Sequence, residues 1–273
     1  MLPFLKSQMN LDMTDSVLIS YPVDGVGVLT LSRVHKHNAI DPATSEQMAR
    51  SLALLESDDQ IRCIILTGAG DKAFCAGADI VELLPELRSS VAQGRHDPQF
   101  CGLTHRCVTT KPLLAAVNGV ALGGGLELAL ACDLRIASTR ARFGLPEITV
   151  GVLAGGGGCT RLPRTIPSAL AAEMILTGRS IDAERALQVG LISEITAPEA
   201  LLGRALEIAQ LIAARAPRAV RACTRLLRHA RYTELAGALA LESQEFQGLL
   251  KTQDADEGMR AFAEKRAPVY ADH

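Results

Sequence analysis

The stretch LLAAVNGVALGGGLELALAC, residues 113–132, decides how this chain is read. Leu113 to Val117 is an unbroken apolar run of strand length. Asn118 and Gly119 interrupt it, and Gly123 to Gly125 open a second apolar run that continues to Cys132. The first run fits a strand buried on both faces, and the second fits a buried helix entered through glycine. The Gly119 to Gly123 spacing also occurs in membrane helices, but Asn118, the triple glycine and Glu127 interrupt the segment, and Asp133 and Arg135 end it. A strand leading into a buried helix is the expectation, and with it an α/β fold.

Working outward, the same order recurs. Val17 to Val23 and Val26 to Ser32 alternate around Asp24-Gly25 and predict a hairpin. Asp41-Pro42 reads as an N-cap with proline in the first turn, and Met48, Leu52 and Leu55 repeat at helical spacing. Cys63 to Leu66 predicts a buried strand, as do Leu134 to Ala137 and Leu191 to Ile195, and Asp182 to Gly190 bounds a helix. From Pro198 the texture becomes rich in Ala, Leu and Arg and amphipathic, which predicts a helical C-terminal region, 198–273, after a core domain of 1–197. Residues 88–111 show weak periodicity and read as a lid or pocket wall.

Composition narrows the function. The chain of 273 residues has no Trp and 3% aromatic residues, so it lacks the rings that single-strand nucleic-acid platforms and aromatic cages use. With 28 Lys and Arg against 30 Asp and Glu, no general polyanion surface is expected, which argues against nucleic acid as a partner. Seven cysteines without a C-x-x-C pair read as reduced, packed thiols. No targeting segment is visible, and a cytoplasmic location and no membrane partner follow as expectations.

Three clusters carry chemistry. Phe74-Cys75-Ala76-Gly77-Ala78-Asp79-Ile80 places small residues where a strand gives way to an apparent helix, so backbone N–H groups can approach an anionic oxygen. Asn118 to Glu127 does the same through Gly123 to Gly125, then sets one carboxylate among Leu126, Leu128, Ala129 and Leu130. A carboxyl group in such surroundings has a raised pKa, as acid–base work near neutrality requires. Phe143 to Glu147 supplies a second carboxylate beside Pro146, and Gly155 to Gly158 then predicts a tight turn or room for water. Two sets of amides and two apolar-embedded carboxylates can stabilise an enolate while protons move.

This constellation resembles the crotonase, or enoyl-CoA hydratase/isomerase, family from about Val17 to Tyr270. The matching residues include Asn38-Ala39-Ile40, A-G-A-D at 76–79, N-G-x-A-x-G-G-G-x-E ending at Glu127, F-G-x-P-E ending at Glu147, and Phe262-x-Glu264-Lys265-Arg266. The resemblance implies a spiral of β-β-α units. It also implies an oxyanion hole from the amides of Ala78 and Gly124, with Glu127 and Glu147 as catalytic acid and base. Ala76, Asp79, Ile80 and Val81 would line the substrate, an acyl-CoA, with Phe262 and Lys265 contributed from the C-terminal region. Lys36 and Lys72 are further candidates for CoA phosphates. Both glutamates are present, which favours hydration of a 2-enoyl-CoA over double-bond isomerisation. A homotrimer or dimer of trimers is implied, with no metal or redox cofactor, CoA being part of the substrate. The sequence departs from the family's pattern at Leu153-Ala154 and at Cys159-Thr160-Arg161-Leu162, where many hydratases have a proline before the glycine run and T-Q-R-L after it.

Overall fold

The computed structural model describes residues 16–94, 100–105 and 109–272. The hairpin forms as expected from β1 (Val17–Val23) and β2 (Val26–Leu31), with Gly25 at φ +77° in its turn. Helix α1 (Pro42–Ser57) is capped by Asp41, whose carboxylate accepts from the Thr44 N–H at 2.7 Å.

The chain then alternates between two sheets. β3 (Cys63–Gly68) passes to β4 (Ala73–Cys75) and α2 (Leu83–Ala92). β5 (Leu113–Val117) passes to β6 (Val120–Leu122) and α3 (Gly124–Ala131), and β7 (Leu134–Ser138) to β8 (Arg142–Gly144). Short helices α4 (Gly158–Arg161) and α5 (Ser168–Thr177) precede β9 (Ser180–Asp182), α6 (Ala183–Gln188) and β10 (Glu194–Thr196). The larger sheet has the order β1-β2-β3-β5-β7-β10, parallel except for the hairpin, and the smaller one β4-β6-β8-β9. Each turn of the chain thus adds one strand to each sheet, which is the expected spiral.

The period of two along the strands divides the larger sheet between two cores. Ile64, Leu66, Leu113, Ala115 and Val117 face the main core beneath α1 and α3, while Cys63, Ile65, Leu114 and Ala116 face α7 (Leu201–Ala213) through Leu201, Ala205 and Ala209. Burial on both faces accounts for the unbroken apolar runs. The first helix of the C-terminal region therefore covers the sheet. Helices α8 (Pro217–Ala230), α9 (Leu235–Leu249) and α10 (Gln253–Glu264) follow, and α9 buries none of its residues within the chain. Within the described residues, no helix is long and apolar enough to cross a membrane.

Two expectations are corrected. Leu191 and Ile192 are buried but not in a strand: the Leu191 N–H returns to Ala186 at the end of α6, so β10 starts only at Glu194. The segment after Cys75 is not a helix start. Ala78 forms a parallel bridge with Ile40, the Asp79 N–H bonds the Ile40 carbonyl at 2.7 Å, and this extended backbone delays α2 to Leu83. Of the cysteines, 63, 75, 101 and 132 are buried, Cys159 is half-buried, Cys223 is exposed, and Cys107 lies outside the described residues.

A buried cation closes α1. Lys111 is 5% exposed, and its ammonium donates to the carbonyls of Leu55 and Asp58, both at 2.7 Å. These carbonyls lie at the helix C-terminus, which lacks intrahelical donors. Replacing Lys111 by Met leaves them without their ammonium donor, and chemical denaturation is expected to show a loss of about 1–3 kcal/mol; unchanged stability would mean that the helix end is solvated another way.

Candidate active site

The smaller sheet brings the three sequence clusters together. β4 pairs with β6 through Cys75 and Ala121, and this sets the residues that follow each strand side by side. Gly77, at φ +102°, packs so closely that a Cβ on it would meet the Leu122 carbonyl at 2.8 Å and the Gly124 nitrogen at 3.3 Å. A Cβ on Gly124 would lie 3.5 Å from the Ala78 nitrogen. Neither the Ala78 nor the Gly124 N–H has a backbone acceptor among the described residues. Gly124 is the first residue of α3 and carries the positive end of the helix dipole, whereas Ala78 lies in extended backbone. Two adjacent amides without an acceptor can receive one oxyanion.

β6 also pairs with β8, Leu122 opposite Gly144, and the Gly123 N–H bonds the Gly144 carbonyl at 2.9 Å. This register places Glu147, three residues beyond Gly144, against Gly123, where an added Cβ would meet Glu147 Oε1 at 2.9 Å. The other carboxylate oxygen of Glu147 is buried without a hydrogen-bond partner among the described residues. Burial raises the pKa of Glu147.

Glu127 lies one turn into α3 and is 4% exposed. Its Oε1 accepts from the Gly158 N–H at 2.8 Å, and a Cβ on Gly156 would intrude to 2.5 Å from Oε2. The glycine run is therefore a turn folded against a carboxylate, with Gly157 at φ +99°. Burial raises the Glu127 pKa to about 7, the Glu147 charge adds to this, and the amides of Gly158 and Gly156 together with Arg161 oppose it. The two glutamates are coupled and titrate as a pair.

The remaining predicted residues divide. Ala76 lies at the entry to this region, its N–H bonded to the His37 carbonyl at 3.0 Å. Ile80 and Val81 are exposed, at 53% and 79%, beyond the Ala78 amide. The Asp79 carboxylate turns to Arg33 and Lys36, at 3.4 Å and 3.7 Å, within a cluster that includes Asp41. Lys72 is exposed. Phe262 is 87% exposed on α10, Lys265 is its left-handed C-cap, and the Lys265 N–H bonds the Phe262 carbonyl at the helix end, so the single chain does not join them to the glutamates. Within 88–111, the described part includes a wall: the Phe100 ring would meet a Cβ on Gly124 at 2.8 Å, while 95–99 and 106–108 lie outside the described residues. The sequence reading missed Phe100, the amides of Gly156 and Gly158 as partners of Glu127, and Arg161. The glycine run beside a motif acid was the available signal for the amides; Phe100 had none.

A paired-amide anion site beside two coupled carboxylates, one buried and one half-buried, suits proteins that stabilise an oxyanion while moving protons next to it. The family model described as enoyl-CoA hydratase/isomerase matches residues 23–273, and the chain belongs to that family. It is 43% identical to the (E)-benzylidenesuccinyl-CoA hydratase of Thauera aromatica, over 90% of this chain and 95% of the relative. With the short-chain-enoyl-CoA hydratase of Clostridium acetobutylicum it shares 39% identity, over 88% and 92% respectively. Among solved structures, the enoyl-CoA hydratase of Bacillus anthracis superposes with a TM-score of 0.87 at 37% identity, covering 95% of this chain and all of that one.

The raised pKa of Glu127 has a sign that stability measurements can read. Below pH about 4.5 the group is neutral in both folded and unfolded chains, and between there and about 7 only the unfolded chain releases its proton. Its contribution therefore becomes destabilising as pH rises through that window and stays so above it, on the order of 3 kcal/mol. Glu127→Gln is expected to flatten this part of the stability profile and to exceed the unsubstituted chain by about 1–3 kcal/mol at pH 8 in chemical denaturation. A wild-type slope retained by the variant would place the titration elsewhere.

Proposed function

We propose that this chain is an enoyl-CoA hydratase, adding water across the double bond of a 2-enoyl-CoA to give a 3-hydroxyacyl-CoA. The observation that carries this reading is the pair Glu127, buried, and Glu147, half-buried, both with raised pKa values, beside the Ala78 and Gly124 amides. The hydratase names of relatives at about 40% identity support it.

In this mechanism the thioester oxygen accepts hydrogen bonds from Ala78 and Gly124. Ionised Glu127 takes a proton from water as the water oxygen bonds to Cβ, and the π electrons move onto the thioester as an enolate. The two amides stabilise the oxyanion, each contributing on the order of 3 kcal/mol if it behaves like donors in comparable sites. Protonated Glu147 then delivers its proton to Cα, so the elements of water are added and the pair ends with its proton on the other glutamate. Dehydration runs the same steps backward. Burial raises both pKa values, so each glutamate is a stronger base than an exposed carboxylate and the coupled pair can hold one proton and pass it between the two roles.

The related hydratases are named for dissimilar acyl groups, one aryl and one short-chain, so the acyl group belongs to the pocket and not to the shared motif. In this chain Phe100, Val81 and the exposed Leu153 are available to shape that pocket. We further propose a homotrimer or dimer of trimers, supported by Leu239, Phe246 and Phe262, which leave apolar surface exposed on α9 and α10. Phe262 and Lys265 would then serve a neighbouring subunit's substrate, and sedimentation of the purified chain tests the assembly.

A panel of acyl-CoAs assayed for hydration and for double-bond migration tests the reaction. The expected result is hydration of at least one 2-enoyl-CoA, with kcat reduced about 10²- to 10⁴-fold by Glu127→Gln and by Glu147→Gln. Double-bond migration that survives Glu127→Gln but not Glu147→Gln would favour an isomerase. Full hydratase activity in Glu127→Gln would remove that residue from the mechanism.

A further inference from the structure

Arg161 closes α4, three residues after the Gly158 amide that holds Glu127. Its guanidinium donates from Nη1 to the Gly156 carbonyl at 3.1 Å and from Nη2 to the Thr104 carbonyl, and its own N–H bonds the Gly157 carbonyl at 2.7 Å. Thr104 belongs to the same short turn as Phe100: the Thr104 N–H donates to the Phe100 carbonyl at 3.4 Å, and the Phe100 N–H donates to the Thr104 hydroxyl at 3.3 Å. The Phe100 ring in turn occupies the space beside Gly124. One side chain therefore joins the turn that grips the Glu127 carboxylate to the ring packed beside Gly124.

We propose that Arg161 is a positioning residue for the reaction proposed above, locking the Gly155–Gly158 turn against Glu127 and, through the Thr104 carbonyl, fixing Phe100 over Gly124. The inference rests on the hydratase reading for its catalytic consequence, though not for its effect on Glu127. A planar fork with fixed donor directions can span two carbonyls at once, which a single ammonium does not reproduce. The charge has a second effect. The charged groups that act on Glu127 are Glu147, from the turn after β8, and Arg161, from α4; the first favours the protonated carboxyl and the second the ionised one.

Two variants and two readouts separate these effects. Arg161→Gln removes fork and charge, and Arg161→Lys keeps the charge alone. The Glu127 carboxyl is followed by NMR titration of the full-length, ¹³C-glutamate-labelled protein, assigned against Glu127→Gln, and turnover is measured on the 2-enoyl-CoA that the panel identifies. Arg161→Gln is expected to move the Glu127 midpoint to higher pH, shift the pH–rate profile the same way, and lower kcat by about 10²-fold with little change in KM. Arg161→Lys is expected to leave the midpoint near the wild-type value while still lowering kcat. An unmoved Glu127 midpoint in Arg161→Gln, or wild-type kcat in Arg161→Lys, overturns the assignment. Should Arg161→Gln not fold, the kcat of Arg161→Lys decides. A wild-type chain that hydrates no 2-enoyl-CoA overturns the hydratase reading, and the titration alone then decides whether Arg161 governs Glu127.

Discussion

A carboxylate carried into an apolar helix has to be held by something that can reach it, and in this protein the backbone does so. Glu127 is surrounded on α3 by Leu126, Leu128, Ala129 and Leu130, all buried, and the Gly158 amide meets it at 2.8 Å. Burial of an ionised group costs several kcal/mol unless hydrogen bonds answer it. The two amides of the glycine turn answer part of that cost, and what is left appears as a pKa of about 7. The site's basicity and the turn that shapes it are thus one feature.

This constraint explains the glycines better than conformational freedom does. Gly123 and Gly157 need positive φ, but Gly124, Gly156 and Gly158 do not. They are small because a Cβ would strike Phe100, Glu127 or both Glu127 and Leu145. Close approach of backbone to a carboxylate, and of a ring to the Cα of Gly124, is what the high glycine content serves here. The smaller sheet supplies the alignment. Its three-residue strands β4, β6 and β8 place Ala78, Gly124 and Glu147 at neighbouring strand ends, so the site stands on the sheet and its loops need only carry the last few atoms.

Much of this was legible along the chain. The strands of the larger sheet show as apolar runs because both faces are covered, and Asp41 and Asp182 cap the helices they were expected to cap. The four strands of the smaller sheet were not separately visible, because three residues are too few to display a period and they lie inside motif segments. Ala78 looked like a helix entry since small residues followed by Asp-Ile fit one. The Ile40 bridge, made by residues 38 positions earlier, kept it extended. Leu191 and Ile192 looked like strand residues because they are apolar, yet their backbone is committed to α6 and to Arg135. Lys111 is the opposite case, a lysine that reads as surface until the end of α1 is folded onto it.

The sequence by itself determined the α/β class, the two carboxylates in apolar surroundings and the glycine-rich segments, since hydrophobic period and residue size are local properties, and the resemblance its motifs carry implied the spiral. Tertiary structure alone decided which amides are left to receive an oxygen, that Gly158 serves Glu127 across 31 positions, and that Arg161 reaches Thr104 across 57. Those are hydrogen bonds and exclusions between segments distant in the chain. Only the pairing of the strands beneath them brings them within 3 Å or so of one another.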